Sequence, residues 1–464
     1  MASAAVSPAR STPPSGSPSR TVVSSGARAL ALEGIFQALA QGLGEAYLGA
    51  FALLLGAGGL ALGLVATLPT AAASLAQVMT RGARAVIGDA RALVARAWSA
   101  QAIGYASLGL CALLPPPWPV PALCALALVA WGCGGIAVPA WTALVSGVVP
   151  KGRHGWFFGL RGAVQQIGVL TAIVLGGLIL SWRTSKGEES LGFVIIFIMA
   201  GLARASGTLL IGSVRDPGVA AAVPRRARGR GFGPPRASAK VRRLAVYLWG
   251  LHFATYVSSP FFVPYMLRDL HLSYALVGVL VAVPAIVKML TLRIWGRLAD
   301  RLGPGPVLRT TGWLVVAVPG LWLLSKSPWW ILTAQAYSGF VWGAFELAQA
   351  SAILQATRGG ERLVAQFNGV DGFVLIAGSL LGGAVVNLVS ARGGSGYLAA
   401  MALSTLLRAL PATALLWRVR GLGKPAWSHL KMPLRLWAIR PTRGISLTAE
   451  EFSLRHSSET PPRP

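Results

Sequence analysis

The sequence predicts an all-α membrane protein with twelve transmembrane helices in two pseudo-symmetric six-helix bundles. Three observations lead to this fold class: long apolar runs, very few charges and an internal repeat. Of the 464 residues, 54% are hydrophobic and only 12% are charged, which is about half the charged fraction of an average soluble domain. This composition excludes a disordered chain and argues against a soluble enzyme of the same length.

Twelve segments are long and apolar enough to be transmembrane helices, which need about 20 mostly apolar residues. They lack the two-residue alternation of a transmembrane strand, which excludes a membrane barrel. The predicted spans are 30–56, 58–80, 98–115, 120–147, 160–181, 191–213, 244–266, 273–293, 307–325, 328–354, 364–389 and 395–418.

The basic residues predict the orientation of these spans. With the N-terminus in the cytoplasm, 34 of the 42 Lys and Arg residues fall in cytoplasmic segments and 5 fall in outer loops. This asymmetry follows the positive-inside rule. It predicts a multi-pass protein of the bacterial cytoplasmic membrane with both termini in the cytoplasm. The formal net charge of +28 then predicts attraction to anionic membrane lipid and no binding of nucleic acid.

The predicted spans divide the chain into five segments. Residues 1–29 are expected to be a disordered cytoplasmic tail, 30–213 the N-terminal six-helix bundle and 214–243 a basic cytoplasmic linker. Residues 244–418 are expected to form the C-terminal six-helix bundle, and 419–464 a basic cytoplasmic tail. The linker is rich in Pro, Gly and Arg and has no hydrophobic periodicity.

The two predicted bundles repeat each other at a nearly constant offset. Gly63 and Pro69 match Gly278 and Pro284, which lie 215 residues later. The later matches, at slightly shorter offsets, are Trp118 with Trp329, Gly176–Gly177 with Gly382–Gly383, and Arg204 with Arg408. Six helices repeated in the same orientation predict two parallel bundles joined by a cytoplasmic linker.

A loop motif lies between the eighth and ninth predicted spans. It reads GRLADRLG over Gly296–Gly303 and resembles the loop signature G-x-L-x-D-R-x-G of the major facilitator superfamily (MFS). In the first half the equivalent segment, RGARAVIGD over Arg81–Asp89, has Ala85 where the signature has Asp. The resemblance covers roughly residues 30–418 and implies the MFS fold. It also implies that the motif forms part of a cytoplasmic gate, with candidate residues Gly296, Arg297, Asp300, Arg301 and Gly303.

The first predicted span carries a polar stripe. Its polar residues recur every four positions and therefore share one helix face: Glu33, Gln37, Gln41 and Glu45. Glu45 lies about 22 Å into the span, since each residue adds about 1.5 Å. A carboxylate at that depth is costly, so we interpret it as a protonatable or substrate-contacting group. The alternative is a buried acid neutralised by a proton or by a helix-packing hydrogen bond. Glu33, near the cytoplasmic end, is expected to be solvated.

Three further spans carry candidate site residues. The tenth has polar residues at helical spacing, namely Gln335, Ser338, Trp342, Glu346 and Gln349. In the seventh, Trp249, His252 and Tyr256 share a face, and in the eleventh Asp371 lies seven residues inside the span. The resemblance to the MFS implies that helices 1, 4, 7 and 10 line a central cavity. The alternative for His252 is a packed, hydrogen-bonded side chain.

Three basic residues within spans have structural interpretations. Lys288, near the inner end of the eighth span, is expected to extend towards the membrane surface. Arg204 and Arg408 occupy matching positions in the two halves, which suggests a shared structural role. In the MFS the sixth and twelfth helices belong to the outer scaffold, so the resemblance supports that interpretation.

Together these features predict a secondary active transporter of a small organic solute that works by alternating access. The chain has no GxxxxGK[ST] loop, so ATP is not expected to drive it directly. A proton is the expected coupling ion, export is favoured over import, and no cofactor, metal or enzymatic activity is predicted. A monomer is expected, since nothing in the sequence signals an oligomer. The alternatives are a uniporter or importer of a sugar, nucleoside or peptide, and a transporter-like sensor or scaffold that moves no solute.

Overall fold

The computed structural model describes residues 25–149, 154–214, 238–357 and 361–415. Within these residues it has twelve helices of 15 or more residues, numbered here α1–α12. They are α1 Ser25–Leu54, α2 Gly59–Ala76, α3 Ala90–Ser107, α4 Pro119–Val148, α5 His154–Thr184, α6 Glu189–Gly212, α7 Ala239–Tyr256, α8 Tyr274–Leu302, α9 Pro304–Gly320, α10 Pro328–Thr357, α11 Glu361–Ser390 and α12 Gly396–Leu410.

Several helix ends differ from the predicted ends. Helix α1 begins at Ser25 and α7 at Ala239, each inside a segment predicted to be a tail or linker. The rest of those segments, and the predicted tail 419–464, lie outside the described residues. Helix α3 begins at Ala90, and α8 continues to Leu302. The reason is the same throughout: Arg-containing turns continue the helices beyond their apolar cores, because the long Arg side chain can extend into water.

Seven of the described helices have a segment long and apolar enough to cross a membrane. These segments lie in α2, α4, α5, α6, α8, α9 and α11. Helix α12 has only 15 residues, so it is short for a full span. Helices α1, α7 and α10 carry the polar stripes identified above, which lower their mean hydropathy. The all-α membrane fold is confirmed.

The helices pack in two groups with the same internal arrangement. In the first group α1 packs on α5 and α6, α3 packs on α4 and α6, and α2 packs on α4. In the second group α7 packs on α11 and α12, α9 packs on α10 and α12, and α8 packs on α10. Each pair in one group therefore has its counterpart six helices later.

Within each group, a glycine brings two helices close together at an equivalent position. A Cβ atom on Gly135 of α4 would lie 2.2 Å from the carbonyl oxygen of Ala73 on α2. A Cβ atom on Gly339 of α10 would lie 2.3 Å from the carbonyl oxygen of Pro284 on α8. Close backbone approach through glycine is typical of helix packing in membranes.

The two groups touch each other through α2 with α11 and through α5 with α8. Asn387 accepts a hydrogen bond from the backbone N–H of Gly59, at 2.6 Å, and Ser181 accepts one from Ala275, at 2.8 Å. These contacts lie where α2 and α8 begin. The hydrogen bonds that join the two groups among the described residues all lie at this side or in the middle of α2. We therefore call this side, which carries the α1–α2, α5–α6, α7–α8 and α11–α12 connections, the closed end, and the opposite side the open end.

Candidate functional site

A cavity of about 270 Å³ lies against the first group of helices. All four polar residues of the predicted α1 stripe line it, which places Glu33, Gln37, Gln41 and Glu45 on one wall. Aromatic side chains form much of the remaining wall: Trp98, Tyr105, Trp131 and Trp141. Arg161, Gln165 and Arg204 complete its polar lining.

Glu33 forms the centre of a buried charge cluster. Its side chain is fully buried, and its carboxylate accepts from Arg161 Nη2 at 2.6 Å and from Arg204 Nη1 at 3.4 Å. The expectation that Glu33 is solvated is therefore wrong. Helix α1 begins five residues earlier than predicted, and two guanidinium groups from α5 and α6 meet Glu33 there. A buried carboxylate requires such partners, because an unpaired buried charge is strongly destabilising.

Arg204 is held by hydrogen bonds from its Nε and Nη1 atoms and by an aromatic ring. It donates to Gln101 Oε1 at 2.8 Å and to Gln37 Oε1, and its guanidinium carbon lies 3.9 Å from the Trp98 ring centroid. Arg161 similarly stacks on Trp141 at 4.4 Å. The residue predicted to be scaffold thus borders the cavity, with both its charge and its planar face occupied by protein groups.

Glu45 faces the cavity at the far end of the stripe. The side chains of Gln41 and Trp131 lie within hydrogen-bonding reach of its carboxylate. Trp131 in turn packs edge-on against Tyr105, with ring centroids 4.8 Å apart. Among the described residues no basic side chain forms an ion pair with Glu45. Its carboxylate is therefore accessible and contacted by neutral groups.

Tyr256 of α7 connects the two groups electrostatically. It lies in the fields of Asp371 and Glu346 of its own group and of Glu45 from the first group. Tyr256 therefore lies near carboxylates of both groups.

His252 and Asp371 form a pair in the second group. His252 Nδ1 lies 2.6 Å from Asp371 Oδ1, and its Nε2 lies 3.1 Å from Gln349 Oε1. The sequence placed these three residues on α7, α11 and α10 as separate candidates and gave no indication of their contact. A carboxylate on one ring nitrogen fixes the tautomer and orientation of the imidazole.

Lys288 and Glu346 form a second pair in the same group, between α8 and α10. The expectation that Lys288 lies near the end of its helix is wrong, because α8 continues to Leu302 and Lys288 is at its middle. A Lys at that depth is stabilised by a carboxylate partner. Trp342, another predicted site residue, packs edge-on against Phe345, with centroids 5.5 Å apart.

Arg408, the sequence match of Arg204, has a different environment. It is 1% exposed and donates to the carbonyl oxygen of Val315 at 3.0 Å and to the hydroxyls of Ser404 and Ser258 at 3.2 and 3.3 Å. Within the described part of the chain no carboxylate pairs with it. Its charge is solvated by neutral oxygens, an arrangement that the repeat alone does not reveal.

The gating motif forms the last turns of α8, so the expectation of a loop is wrong there. Gly303 ends the helix with a φ of +79°, a left-handed conformation that glycine adopts readily. Its sequence match Gly88 has a φ of +82°. Arg297, Asp300 and Arg301 are exposed at the open end, and no ion pair joins Asp300 to another described residue.

Comparisons with known proteins show which family and which solved structures the chain is similar to. The family model described as "Major Facilitator Superfamily" matches residues 244–446. No curated protein sequence matches the chain. Solved structures with the same fold include the nucleoside transporter NupG, which has a TM-score of 0.63 and 14% identity. That alignment covers 85% of this chain and 99% of NupG.

Two further solved structures have the same fold. A bacterial homolog of the human lysosomal transporter Spinster, in an inward-facing and occupied conformation, has a TM-score of 0.62 at 14% identity, covering 85% of this chain and 96% of that one. A D-xylose-proton symporter has a TM-score of 0.60 at 12% identity, covering 86% and 98%. The predicted resemblance to the MFS is therefore confirmed, and the chain has the MFS fold.

Proposed function

We propose that the chain is a secondary transporter that moves a small organic solute by alternating access, with H⁺ as the coupling ion. The observation that carries the proposal is Glu45, an accessible carboxylate without a basic partner among the described residues, in a cavity lined by the first helix group. Because no described basic side chain neutralises Glu45, a proton can take that role, so Glu45 is suited to take up and release one.

The surroundings of Glu45 support this role. Gln41 and Trp131 approach it with neutral donors, and Tyr105 and Tyr256 lie in its field from α3 and α7. The charge of Arg204 also influences Tyr105. The Arg204 guanidinium is, however, bonded to Glu33, Gln37 and Gln101. A proton can therefore neutralise Glu45 without breaking an ion pair among these groups.

The direction of opening follows from the predicted orientation. The basic residues place the open end in the cytoplasm, so the structure corresponds to an inward-open state in a bacterial cytoplasmic membrane. Transport then requires separation of the contacts at the closed end. We expect the protein to act as a monomer in contact with membrane lipid, and we favour export over import.

The experiment is a solute screen with the purified chain in proteoliposomes, with and without a pH gradient. We expect gradient-driven flux of at least one organic solute. We expect Glu45→Gln to abolish the dependence on the gradient while exchange of solute across the membrane persists. Glu188→Gln is the matched control, because it removes an exposed carboxylate, paired with Arg183 outside the cavity.

Two results contradict the proposal. If gradient-driven flux is unchanged in Glu45→Gln, the proton is carried elsewhere, and Asp371 is the next candidate. If no solute moves under any condition while the protein is folded and correctly inserted, the sensor or scaffold alternative is correct.

A further inference from the structure

We propose that the solute is an organic cation, a protonated amine on an aromatic or apolar body, and that its ammonium group exchanges with a proton at Glu45. The inference rests on the proposed transport function. The substrate class follows from the negative charge of Glu45, which has no basic partner among the described residues.

Four carboxylates lie deep in the described helices, and three have basic partners. Glu33 is held by two arginines, Glu346 by Lys288 and Asp371 by His252. Glu45 alone among them is contacted only by neutral side chains. A cation entering the cavity therefore finds one negative charge without a positive partner among the described residues.

An anion entering the same cavity meets basic groups that protein side chains already contact. Arg204 and Arg161 both bind Glu33, and their planar faces lie against Trp98 and Trp141 at 3.9 and 4.4 Å. Lys288 is engaged by Glu346. A carboxylate or phosphate on the solute would therefore compete with Glu33 for these arginines, and it would lie in the same cavity as the Glu45 carboxylate.

The groups around Glu45 suit an ammonium ion on an apolar body. Trp131 and Tyr105 form one aromatic pair beside it, and Tyr256 approaches from the other group. Aromatic rings stabilise nearby cations through their quadrupoles, and they also cover apolar carbon. A cavity of about 270 Å³ lies at the small end of ligand pockets and fits a solute of one or two rings.

The exchange balances in charge and protons. Protonated Glu45 loses its O–H proton to cavity water, and the carboxylate formed binds the solute ammonium as an ion pair. In the reverse step the ammonium leaves and a proton from water returns to the carboxylate. Glu45 is neutralised by one partner at a time, so a solute moving outwards is exchanged for a proton moving inwards. This result agrees with the expected direction of export.

The test uses three probes with the same indole ring: tryptamine, a cation at neutral pH; tryptophol, its neutral alcohol counterpart; and indole-3-acetate, an anion. Binding of each to the full-length purified chain is measured by calorimetry. We expect tryptamine to bind roughly tenfold to a hundredfold more tightly than tryptophol, the range for one hydrogen bond to a charged group. We expect indole-3-acetate to bind most weakly.

Two further measurements connect this binding to Glu45. In weakly buffered solution, wild-type protein should release a proton when tryptamine binds and none when tryptophol binds. Glu45→Gln should lose the preference for tryptamine and the proton release, and Glu45→Asp should restore both in part. Glu188→Gln, which makes the same charge change outside the cavity, should behave as wild type.

The inference is overturned if tryptophol or indole-3-acetate binds as tightly as tryptamine, if none of the three binds, or if folded Glu45→Gln keeps the tryptamine preference. If Glu45→Gln does not fold, the wild-type proton release and the three-probe order still decide the matter. If the organic-cation inference fails, the proteoliposome screen can still show gradient-driven flux of another solute, and the proposed transport function then stands. Tryptamine binding without any flux would instead contradict transport and support a sensor.

Discussion

Gly383 on α11 occupies the same position against α2 that Gly177 on α5 occupies against α8. A Cβ atom on Gly383 would lie 2.5 Å from the carbonyl oxygen of Gly59, and one on Gly177 would lie 2.7 Å from that of Tyr274. The sequence offset between the glycines is 206 residues, and that between their partners is 215 residues. The internal repeat therefore includes the surfaces by which the two groups meet, and the closed end is held by two equivalent contacts.

Gly383→Leu should separate the groups at the closed end, because the added side chain has no space against the α2 backbone. We expect the distance between spin labels at Lys186 and Arg392, both exposed at this end, to increase. Gly369→Leu on the same helix is the control, since nothing lies within 4 Å of a Cβ atom at Gly369. An unchanged label distance in Gly383→Leu would show that this glycine does not determine closure.

Glu33→Gln should destabilise the folded protein strongly. The substitution leaves the charges of Arg161 and Arg204 facing each other without a carboxylate, and breaking a buried ion pair costs about 3–5 kcal/mol. The measurement is the free energy of unfolding in detergent. Glu188→Gln should change it little, because that carboxylate is largely exposed. Equal effects of the two substitutions would contradict the structural role of the Glu33 cluster.

Lys288 and Glu346 should behave as one unit in a double-mutant cycle. Lys288→Met and Glu346→Gln each leave an unpaired charge between α8 and α10, so each should reduce solute flux. The double substitution removes both charges and should recover part of the loss. The coupling energy should be about 0.2–1 kcal/mol, because the side chains of Lys288 and Glu346 are 38% and 52% exposed. Additive losses would show that the pair seen between these helices does not contribute to transport.

Asp300 should act as a latch at the open end when that end closes. It is exposed in this structure, and the resemblance to the MFS implies that it meets the start of α5 in the other state. A carboxylate near a helix start gains about 0.3–1 kcal/mol from the helix dipole. Asp300→Asn should therefore favour the open state and increase thiol labelling of a cysteine introduced at Val138, which lines the cavity.

A substitution in the equivalent segment of the first half should have the opposite effect. Ala85 stands where the motif has Asp, and it is exposed on the short helix Thr80–Ile87. Ala85→Asp should add a second latch and decrease labelling at the same reporter. If neither substitution alters labelling or flux, the latch is absent.

The local features of the fold could be predicted from the sequence because they depend on periodicity. The four-residue spacing of the α1 stripe correctly placed Gln37, Gln41 and Glu45 on one wall of the cavity. The observed start of α1 and end of α8 differ from the predicted ones, because the predicted spans cover only the apolar residues and Arg-containing turns continue the helices beyond them.

The partners in the site could not be predicted from the sequence. Glu33 meets Arg161 and Arg204 across 128 and 171 residues of chain, and His252 meets Asp371 across 119. Such contacts are set by how the helices pack, and a single sequence contains no signal for them. The neutral oxygens around Arg408 were missed for the same reason, since a buried guanidinium can be satisfied by a carboxylate or by several hydroxyl and carbonyl oxygens.

The ion pairs of the described residues have a consequence for the rate of switching. Each joins residues of the same helix group, so rotation of one group against the other leaves them intact. The contacts that must break include the hydrogen bonds from Gly59 to Asn387 and from Ala275 to Ser181, each contributing about 1 kcal/mol. They also include a hydrogen bond from Tyr274 to the Glu189 carboxylate and apolar packing between the groups. The activation barrier at the closed end is thus largely independent of ionic strength. The proposed alternating-access cycle requires these contacts to break and re-form in every turnover.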